Sequence, residues 1–216
     1  MREKNQMIYE MRTYTLKPGS VGKWEELFAE AYGAGRDKYS KLGGLWHTEL
    51  GPLNQVIHIW PYESLQHRAD VRAKSAREMA GKWPHPASGE LVVSMETDIM
   101  DGVKGMKDWD GSPQSWGEVY ELRTYTYAPG DAGKAAAAFG EALAGRDAVY
   151  PVAGMFMTSQ GNLNKLQQLF PYKSWDHREE VRTEFRKQGV WPPHAEVRPI
   201  NQLVRFLIPG KVSPIH

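Results

Sequence analysis

The alternation of apolar and polar residues near the start of the chain predicts a β-strand followed by a helix. Residues 8–16 alternate, are rich in Tyr and Thr, and end at Pro18 and Gly19, which is typical of a strand closed by a turn. The apolar spacing then changes to three and four residues over 21–35, which predicts a helix with Ser20 as its N-cap.

The rest of the first hundred residues predicts a hairpin, a second helix and a final strand. The order of elements is then β-α-β-β-α-β, the ferredoxin-like order, in which both helices cover one face of a four-stranded antiparallel sheet. The fold class that follows is α+β. The predicted hairpin strands, helix and last strand are residues 45–50, 55–62, 64–82 and 91–99.

The same pattern occurs twice, because YEMRTYTLKPGSVGK at 9–23 is nearly repeated as YELRTYTYAPGDAGK at 120–134. Further matches continue the repeat through both helices, so the chain is an internal duplication. We predict a first unit at 7–101, a linker rich in Gly and polar residues at 102–117, and a second unit at 118–210.

Each predicted sheet has one face that no helix covers. An exposed apolar face is unfavourable in water, whereas two such units can pack their uncovered faces together. We therefore expect the two units to pack within the chain, around a shared inter-sheet space.

Composition narrows the range of partners. Lys and Arg total 27 and Asp and Glu total 26, so no basic surface predicts nucleic-acid binding. The absence of cysteine excludes disulfides and thiolate metal ligands, and we predict no metal site. No long apolar run predicts a membrane span, and the N-terminus has no apolar signal core. We expect a cytoplasmic protein with a small-molecule ligand and no membrane partner, and homo-oligomerisation stays open.

Three features together resemble the NIPSNAP family: the YE(M/L)RTYT strand followed by Pro-Gly, the segment LNQVIHIWPYES with Arg68 and Arg72 after it, and the tandem layout. The resemblance covers almost the full length. It implies a dimeric α/β-barrel superfamily fold in which paired ferredoxin-like sheets enclose a cavity. Relatives in that superfamily include haem-degrading and quinone-forming monooxygenases and chlorite dismutase-like haem enzymes.

The first strand carries a candidate binding group. Side chains alternate along a strand, so Glu10, Arg12 and Tyr14 share one face while Tyr9 and Met11 share the other. We expect the more apolar set to meet the helices and the polar set to point into the inter-sheet space. A carboxylate and a guanidinium there could hold an anionic or enolic ligand beside a phenol, or form a buried ion pair that fixes the packing of the sheets. The duplicates of this set are Glu121, Arg123 and Tyr125.

The third strand differs between the units. His58 and Trp60 alternate with apolar residues and are expected to face the cavity, whereas the second unit has Gln168 and Phe170 at these positions. His58 could be a general base or an axial haem ligand, or a hydrogen-bonded structural histidine. The asymmetry between the units strengthens the functional interpretation of a histidine that would otherwise be interpreted as structural.

A second histidine lies in a loop before the last strand of the first unit. His85 follows Trp83 and Pro84, and His194 lies in a similar loop of the second unit. Such a loop could hold an imidazole at the mouth of a cavity. Alternatively, the Trp anchors the loop and the histidine is exposed.

We hypothesise that the cavity binds a small hydrophobic or aromatic molecule. In the enzyme form of this hypothesis the protein is a cofactor-free monooxygenase: His58 accepts a proton, Arg12 stabilises the oxyanion, Tyr14 orients the substrate and Trp60 stacks on it. Alternatives are haem or ligand binding without turnover, and a protein-interaction module. No nucleotide motif is present, so haem is the cofactor left open.

Overall fold

The structure is a computed structural model that describes residues 7–189 and 191–216. The first unit contains two α-helices and four strands in the predicted order. A 3-10 turn, Arg36–Lys38, follows the first helix, and a second, Pro86–Leu91, precedes the last strand. The elements are β1 Ile8–Leu16, α1 Val21–Gly33, β2 Gly44–Leu50, β3 Gln55–Tyr62, α2 Leu65–Glu78 and β4 Val92–Gly102.

The second unit repeats this order. Ser64 and Ser174 cap the second helix of each unit by accepting a hydrogen bond from a backbone N–H in the first turn. Ser20 takes the N-cap position of α1 as predicted, although its side chain makes no cap hydrogen bond. The elements are β5 Val119–Thr126, α3 Ala132–Val149, β6 Gly154–Gln160, β7 Lys165–Tyr172, α4 Trp175–Gln188 and β8 Asn201–Pro209.

The eight strands form one closed antiparallel barrel in the order β1-β3-β2-β8-β5-β7-β6-β4. Within each unit the order is ferredoxin-like, and the units join through the pairs β2–β8 and β4–β6. Closure leaves no free strand edge. The predicted α+β class, the tandem units and the intrachain dimeric α/β barrel are confirmed.

An apolar cluster fills much of the inner face of the barrel, and Asp98 and Arg205 share that face with it. Side chains from both units pack there, and Tyr9, Trp46, Met100, Tyr120 and Phe156 are fully buried. The linker between the units docks at one end of this core. Trp109 donates a hydrogen bond from Nε1 to the carbonyl of Ala153 at 2.7 Å, and its ring contacts Tyr9 and Phe156.

The prediction that Glu10, Arg12 and Tyr14 point into the inter-sheet space is wrong. Tyr9 and Met11 occupy the barrel core, and the polar set faces the helices, where Glu10 binds Arg68 of α2. The physical reason is charge pairing: α2 supplies guanidinium groups that pair with the buried carboxylate, whereas Tyr9 and Met11 pack against apolar side chains in the barrel core. The same reversal applies to the second unit, where Arg178 of α4 binds Glu121.

None of the helices described by the structure has both the length and the apolarity needed to span a bilayer.

Candidate functional site

A cavity of about 400 Å³ lies in the first unit between α1, the outer face of the sheet and the loop before β4. Its position corrects the expected inter-sheet location, because it is outside the barrel core. Aromatic rings form one side of its wall, and residues 92–95 of β4 also line it. The aromatic and loop residues that line it are Tyr14, Trp24, Phe28, His58, Trp83, Pro84, His85, Pro86, Ser88 and Gly89.

His58 projects from β3 into this aromatic group and is only 3% exposed. Its ring packs edge-on against Tyr14, with the centroids 5.0 Å apart, and against Phe28, with the centroids 5.6 Å apart. Trp60 donates a hydrogen bond from Nε1 to His58 Nδ1 at 2.7 Å. His58 Nε2 is buried and has no hydrogen-bond partner among the described residues.

These contacts assign the tautomer of His58. An indole N–H can only donate, so Nδ1 must be the acceptor and the proton of the neutral ring sits on Nε2. Burial, with a smaller contribution from the nearby Arg12, lowers the pKa of His58 to about 3. At neutral pH the side chain is therefore an uncharged donor whose N–H is unused by the protein.

The tautomer disfavours two of the roles considered for His58. A general base or an axial haem ligand needs a free lone pair on Nε2, and the Trp60 hydrogen bond places a proton there. Haem therefore does not fit at His58. No group of three or more His, Asp or Glu side chains in the described ranges could hold a metal ion.

A hydrogen-bonded chain runs from the cavity to α2. Arg12 donates from Nε to the hydroxyl of Tyr14 at 2.9 Å and from Nη1 to Glu10 at 2.8 Å. Arg68 donates to the same Glu10 oxygen at 2.6 Å, and Arg72 lies 3.6 Å from it. Only Tyr14 of this group lines the cavity, so Arg12 acts through the Tyr14 hydroxyl, whose proton remains available to a ligand.

The electrostatics of this chain keep Glu10 ionised. Burial by itself raises the pKa of Glu10, but the hydrogen bond from Arg68 and the charge of Arg12 outweigh it and hold the pKa below 4.5. Arg12 has its pKa raised, because its pairing with Tyr14 and Glu10 exceeds its own desolvation. The group is a buried ion cluster that links β1 to α2.

His85 lines the cavity through the loop that Trp83 anchors. Its Nδ1 accepts a hydrogen bond from the backbone N–H of Ala87 at 3.1 Å, and its Nε2 lies 3.9 Å from Glu30. The lone pair of neutral His85 is thus occupied, as in His58. Trp83 also contacts the guanidinium of Arg36, which stacks between Trp83 and Trp60.

The structure brings together some of the predicted site residues and separates others. Tyr14, His58 and His85 share the cavity, whereas Trp60 lies behind His58 as its hydrogen-bond donor. The sequence analysis missed Trp24 and Phe28 as wall residues. Their four-residue spacing on α1 placed both on one helix face, and that spacing was used only to predict the helix.

The second unit has a smaller cavity of about 110 Å³, and Tyr125, Gln168 and Trp191, the counterparts of Tyr14, His58 and Trp83, are among the residues that line it. Gln168 stands in place of His58, and the ion cluster is repeated: Arg123 donates to Glu121 at 2.7 Å and to the hydroxyl of Tyr125 at 2.7 Å. Arg178 donates to Glu121 at 2.9 Å. The ion cluster is thus common to both units, and the cavities differ.

Comparison with models of known protein families shows which family this chain belongs to. The NIPSNAP family model matches residues 9–104 and 120–214. The chain belongs to the NIPSNAP family. It is 30% identical over 186 residues to Protein NipSnap homolog of Dictyostelium discoideum, which covers 85% of this chain and 78% of the relative. It is 31% identical over 227 residues to Protein NipSnap homolog 3B of Homo sapiens, covering 99% of this chain and 88% of the relative.

Structural similarity extends beyond the NIPSNAP family. The crystal structure of an anthrone oxidase-like protein matches 95% of this chain and 92% of its own, with a TM-score of 0.61 and 13% sequence identity. At this identity the match establishes a shared barrel fold and no more.

Proposed function

We propose that this NIPSNAP-family protein binds a planar, largely apolar molecule with an oxygen acceptor, such as a carbonyl group, in the cavity of the first unit. The observation that carries the proposal is that His58, whose buried Nε2–H has no partner among the described residues, lines an aromatic cavity of about 400 Å³. The aromatic walls suit a planar apolar body, and the donor suits its oxygen.

Energetics support an acceptor on the ligand. A buried donor without a partner costs about 1–3 kcal/mol, and a ligand oxygen within hydrogen-bond distance would recover that cost. The Tyr14 hydroxyl is a second donor at the same wall, because its oxygen already accepts from Arg12. Two donors in an apolar site favour carbonyl or phenolate oxygen over an ammonium or a hydrocarbon.

The cavity offers donors and no free base. The neutral forms of His58 and His85 both use their lone pair on a protein N–H, and no carboxylate lines the cavity in the part of the chain that the structure describes. Binding is therefore better supported than oxygenation that begins with proton abstraction by His58. Any reaction in this cavity would use His58 and Tyr14 to stabilise an oxyanion.

The test is calorimetric titration with 2-methyl-1,4-naphthoquinone and with naphthalene, which has the same two rings and no oxygen. We expect the quinone to bind more tightly than naphthalene. His58→Phe should weaken quinone binding about tenfold, because one buried hydrogen bond is lost, and should leave naphthalene binding unchanged. Gln168→Leu, at the matching position of the second unit, is the control and should change neither.

Two results would contradict the proposal. The first is equal binding of both compounds to the wild-type protein and to His58→Phe. The second is no measurable binding of either compound, together with no increase in melting temperature across a panel of aromatic ketones; that result favours the interaction-module alternative. In addition, a ¹⁵N spectrum of His58 with the proton on Nδ1 would remove the physical basis for treating His58 Nε2 as a donor.

A further inference from the structure

We propose that the cavity of the second unit is a binding site for a small organic carboxylate. This cavity is separate from the aromatic cavity of the first unit, since α3, α4 and the outer faces of β5 and β7 form it. Four guanidinium groups line it, and no carboxylate does so among the described residues. These groups belong to Arg123, Arg146, Arg182 and Arg186.

The positive charge is only partly balanced by neighbouring carboxylates. Glu121 is shared between Arg123, Arg178 and Arg182, and Arg182 is the most distant of these at 3.6 Å. Arg186 lies 3.8 Å from Glu179, with both side chains largely exposed, and Glu179 also pairs with Arg178. Two carboxylates are therefore shared among four arginines, Arg178 and three of those that line the cavity, and the excess positive charge favours an anion.

Arg146 adds a guanidinium without a carboxylate partner at hydrogen-bond distance among the described residues. It is 2% exposed, bonds the backbone carbonyl of Tyr150, and packs over Phe170 and Phe185. Asp147, the nearest acid in sequence, pairs with Lys107 at 3.0 Å. Burial lowers the pKa of Arg146 to about 10, so the group still carries its charge at neutral pH.

Two buried donors at this cavity lack partners in the described part of the chain. Gln168 is 1% exposed and its Nε2 bonds to nothing, and Arg146 Nε is also without a partner. Both residues line the cavity. Buried donors normally have a hydrogen-bond partner. A bound ligand with an acceptor oxygen would supply that partner here.

The size and the walls of the cavity select the kind of anion. A water occupies about 30 Å³, so 110 Å³ holds only a few heavy atoms. One wall is apolar, formed by Phe139, Phe170 and Phe185 with Trp191. A carboxylate with a short hydrocarbon chain would use both the guanidiniums and this wall, whereas inorganic phosphate would leave its oxygens facing the rings without hydrogen bonds.

The first unit lacks this combination. Its residue at the position of Arg186 is Ala76, and its residue at the position of Gln168 is His58. The duplicated architecture does not require either of the second-unit residues. Their presence is specific to the smaller cavity, which favours a ligand role over a purely structural one.

The experiment is titration of the ¹⁵N-labelled full-length protein with sodium propionate, followed by the side-chain signals of Gln168 and the arginine Nε–H groups. Sodium chloride holds the ionic strength constant, and sodium phosphate is titrated in parallel. We expect saturable shifts of the Gln168 and Arg146 signals with propionate. Arg186→Ala and Gln168→Leu should each weaken binding about fivefold, since each removes one donor from the site. Lys187→Ala, the next cation on α4, is the matched control and should bind as the wild-type protein does.

The alternatives give distinct results. Saturable shifts with phosphate and none with propionate would overturn the choice of a carboxylate. No saturable shift with either anion, or an equal loss in Lys187→Ala and Arg186→Ala, would overturn the site itself. This test is independent of quinone binding in the first unit, because propionate binding is measured at second-unit residues and should be unaffected by His58→Phe.

Discussion

The buried carboxylate Glu10 provides the sharpest test of the forces that hold β1 to α2. Its side chain is fully buried and one oxygen receives hydrogen bonds from Arg12 and Arg68 at 2.8 and 2.6 Å, with Arg72 at 3.6 Å. Glu10→Gln preserves the shape and removes the charge. Three guanidinium groups would then surround a neutral amide. The amide nitrogen and the guanidinium groups are all hydrogen-bond donors, so that nitrogen could not bond to any of them.

The expected loss follows from breaking a buried ion pair on one side. Removing one partner of such a pair costs about 3–5 kcal/mol, because the opposite charge stays buried without compensation. Arg68 and Arg72 can turn partly to water, being 24% and 45% exposed, so we expect the lower figure of about 3 kcal/mol. For a chain of this length that loss lowers the melting temperature by about 6–12 °C.

Thermal unfolding followed by circular dichroism measures the effect, with Glu26→Gln as control. Glu26 pairs with Lys23 at the surface, and loss of that pair should change the free energy of unfolding by less than about 1 kcal/mol. A melting temperature for Glu10→Gln within 2 °C of the wild type would refute the argument. The ion cluster would then contribute little to stability, and Glu121→Gln should also leave the melting temperature unchanged.

The same carboxylate gives a pH dependence. The pKa of Glu10 is below 4.5 in the folded protein, so the unfolded chain takes up the proton first as the pH falls. The stabilisation is complete above 4.5 and is lost as the pH falls through the lowered native pKa. Glu10→Gln should unfold with a shallower dependence on pH in this range, and an unchanged slope would show that the carboxylate is not preferentially ionised in the folded state.

Three further predictions test other parts of the structure. Burial lowers the pKa of His58 from its ordinary value of 6.5 to about 3, so the unfolded chain takes up this proton first as the pH falls. Between about pH 6.5 and pH 5 the wild type should therefore lose about 2 kcal/mol more of its free energy of unfolding than His58→Gln does. Parallel curves of unfolding free energy against pH would contradict this. Gly117→Ala should strongly destabilise the protein, because a Cβ would lie 2.2 Å from the carbonyl oxygen of Tyr172. Gly22→Ala, which has open space around it in helix α1, should instead stabilise the protein by about 0.5–1 kcal/mol. Urea unfolding measures both changes in unfolding free energy, and two changes of the same sign would contradict the prediction. Trp109→Ala should lower the free energy of unfolding by about 3–5 kcal/mol, and a loss below 1 kcal/mol would mean that the linker does not contribute to the barrel core.

The architecture was predictable because duplication and periodicity are local signals. The repeat at 9–23 and 120–134 established two units, and the alternation in each strand and the spacing in each helix gave the β-α-β-β-α-β order. The edge-to-edge closure through β2–β8 and β4–β6 was not visible in these patterns. Strand pairing between distant segments depends on register and twist across the whole sheet, which no local window contains.

The facing of β1 shows why the candidate site was only partly predictable. Alternation correctly separated Glu10, Arg12 and Tyr14 from Tyr9 and Met11, but alternation alone cannot say which set meets the helices. That choice depends on the direction in which Arg68 and Arg72 of α2 point, and the strand pattern does not contain this information. In the structure they point at the sheet, and the polar set of β1 follows them. Two arginines on one helix face and a carboxylate on a neighbouring strand should therefore be considered together when predicting which face of the strand meets the helix.

The comparison of the two units separates architecture from binding. Both units keep the buried carboxylate with its arginines, and in both an aromatic ring packs against a guanidinium, that of Arg36 just after α1 and that of Arg146 in the last turn of α3. These groups therefore serve the shared fold. At the cavities the units diverge: the first has His58 with an unused donor and a large aromatic volume, and the second has Gln168 and Arg186 around a small cationic one. The barrel core is filled by side chains from both units and stabilises the chain, whereas the two sheet-helix cavities differ in size and lining and can provide different chemistry. Exchange of His58 and Gln168 in one double variant should therefore alter binding at both cavities while the barrel remains folded.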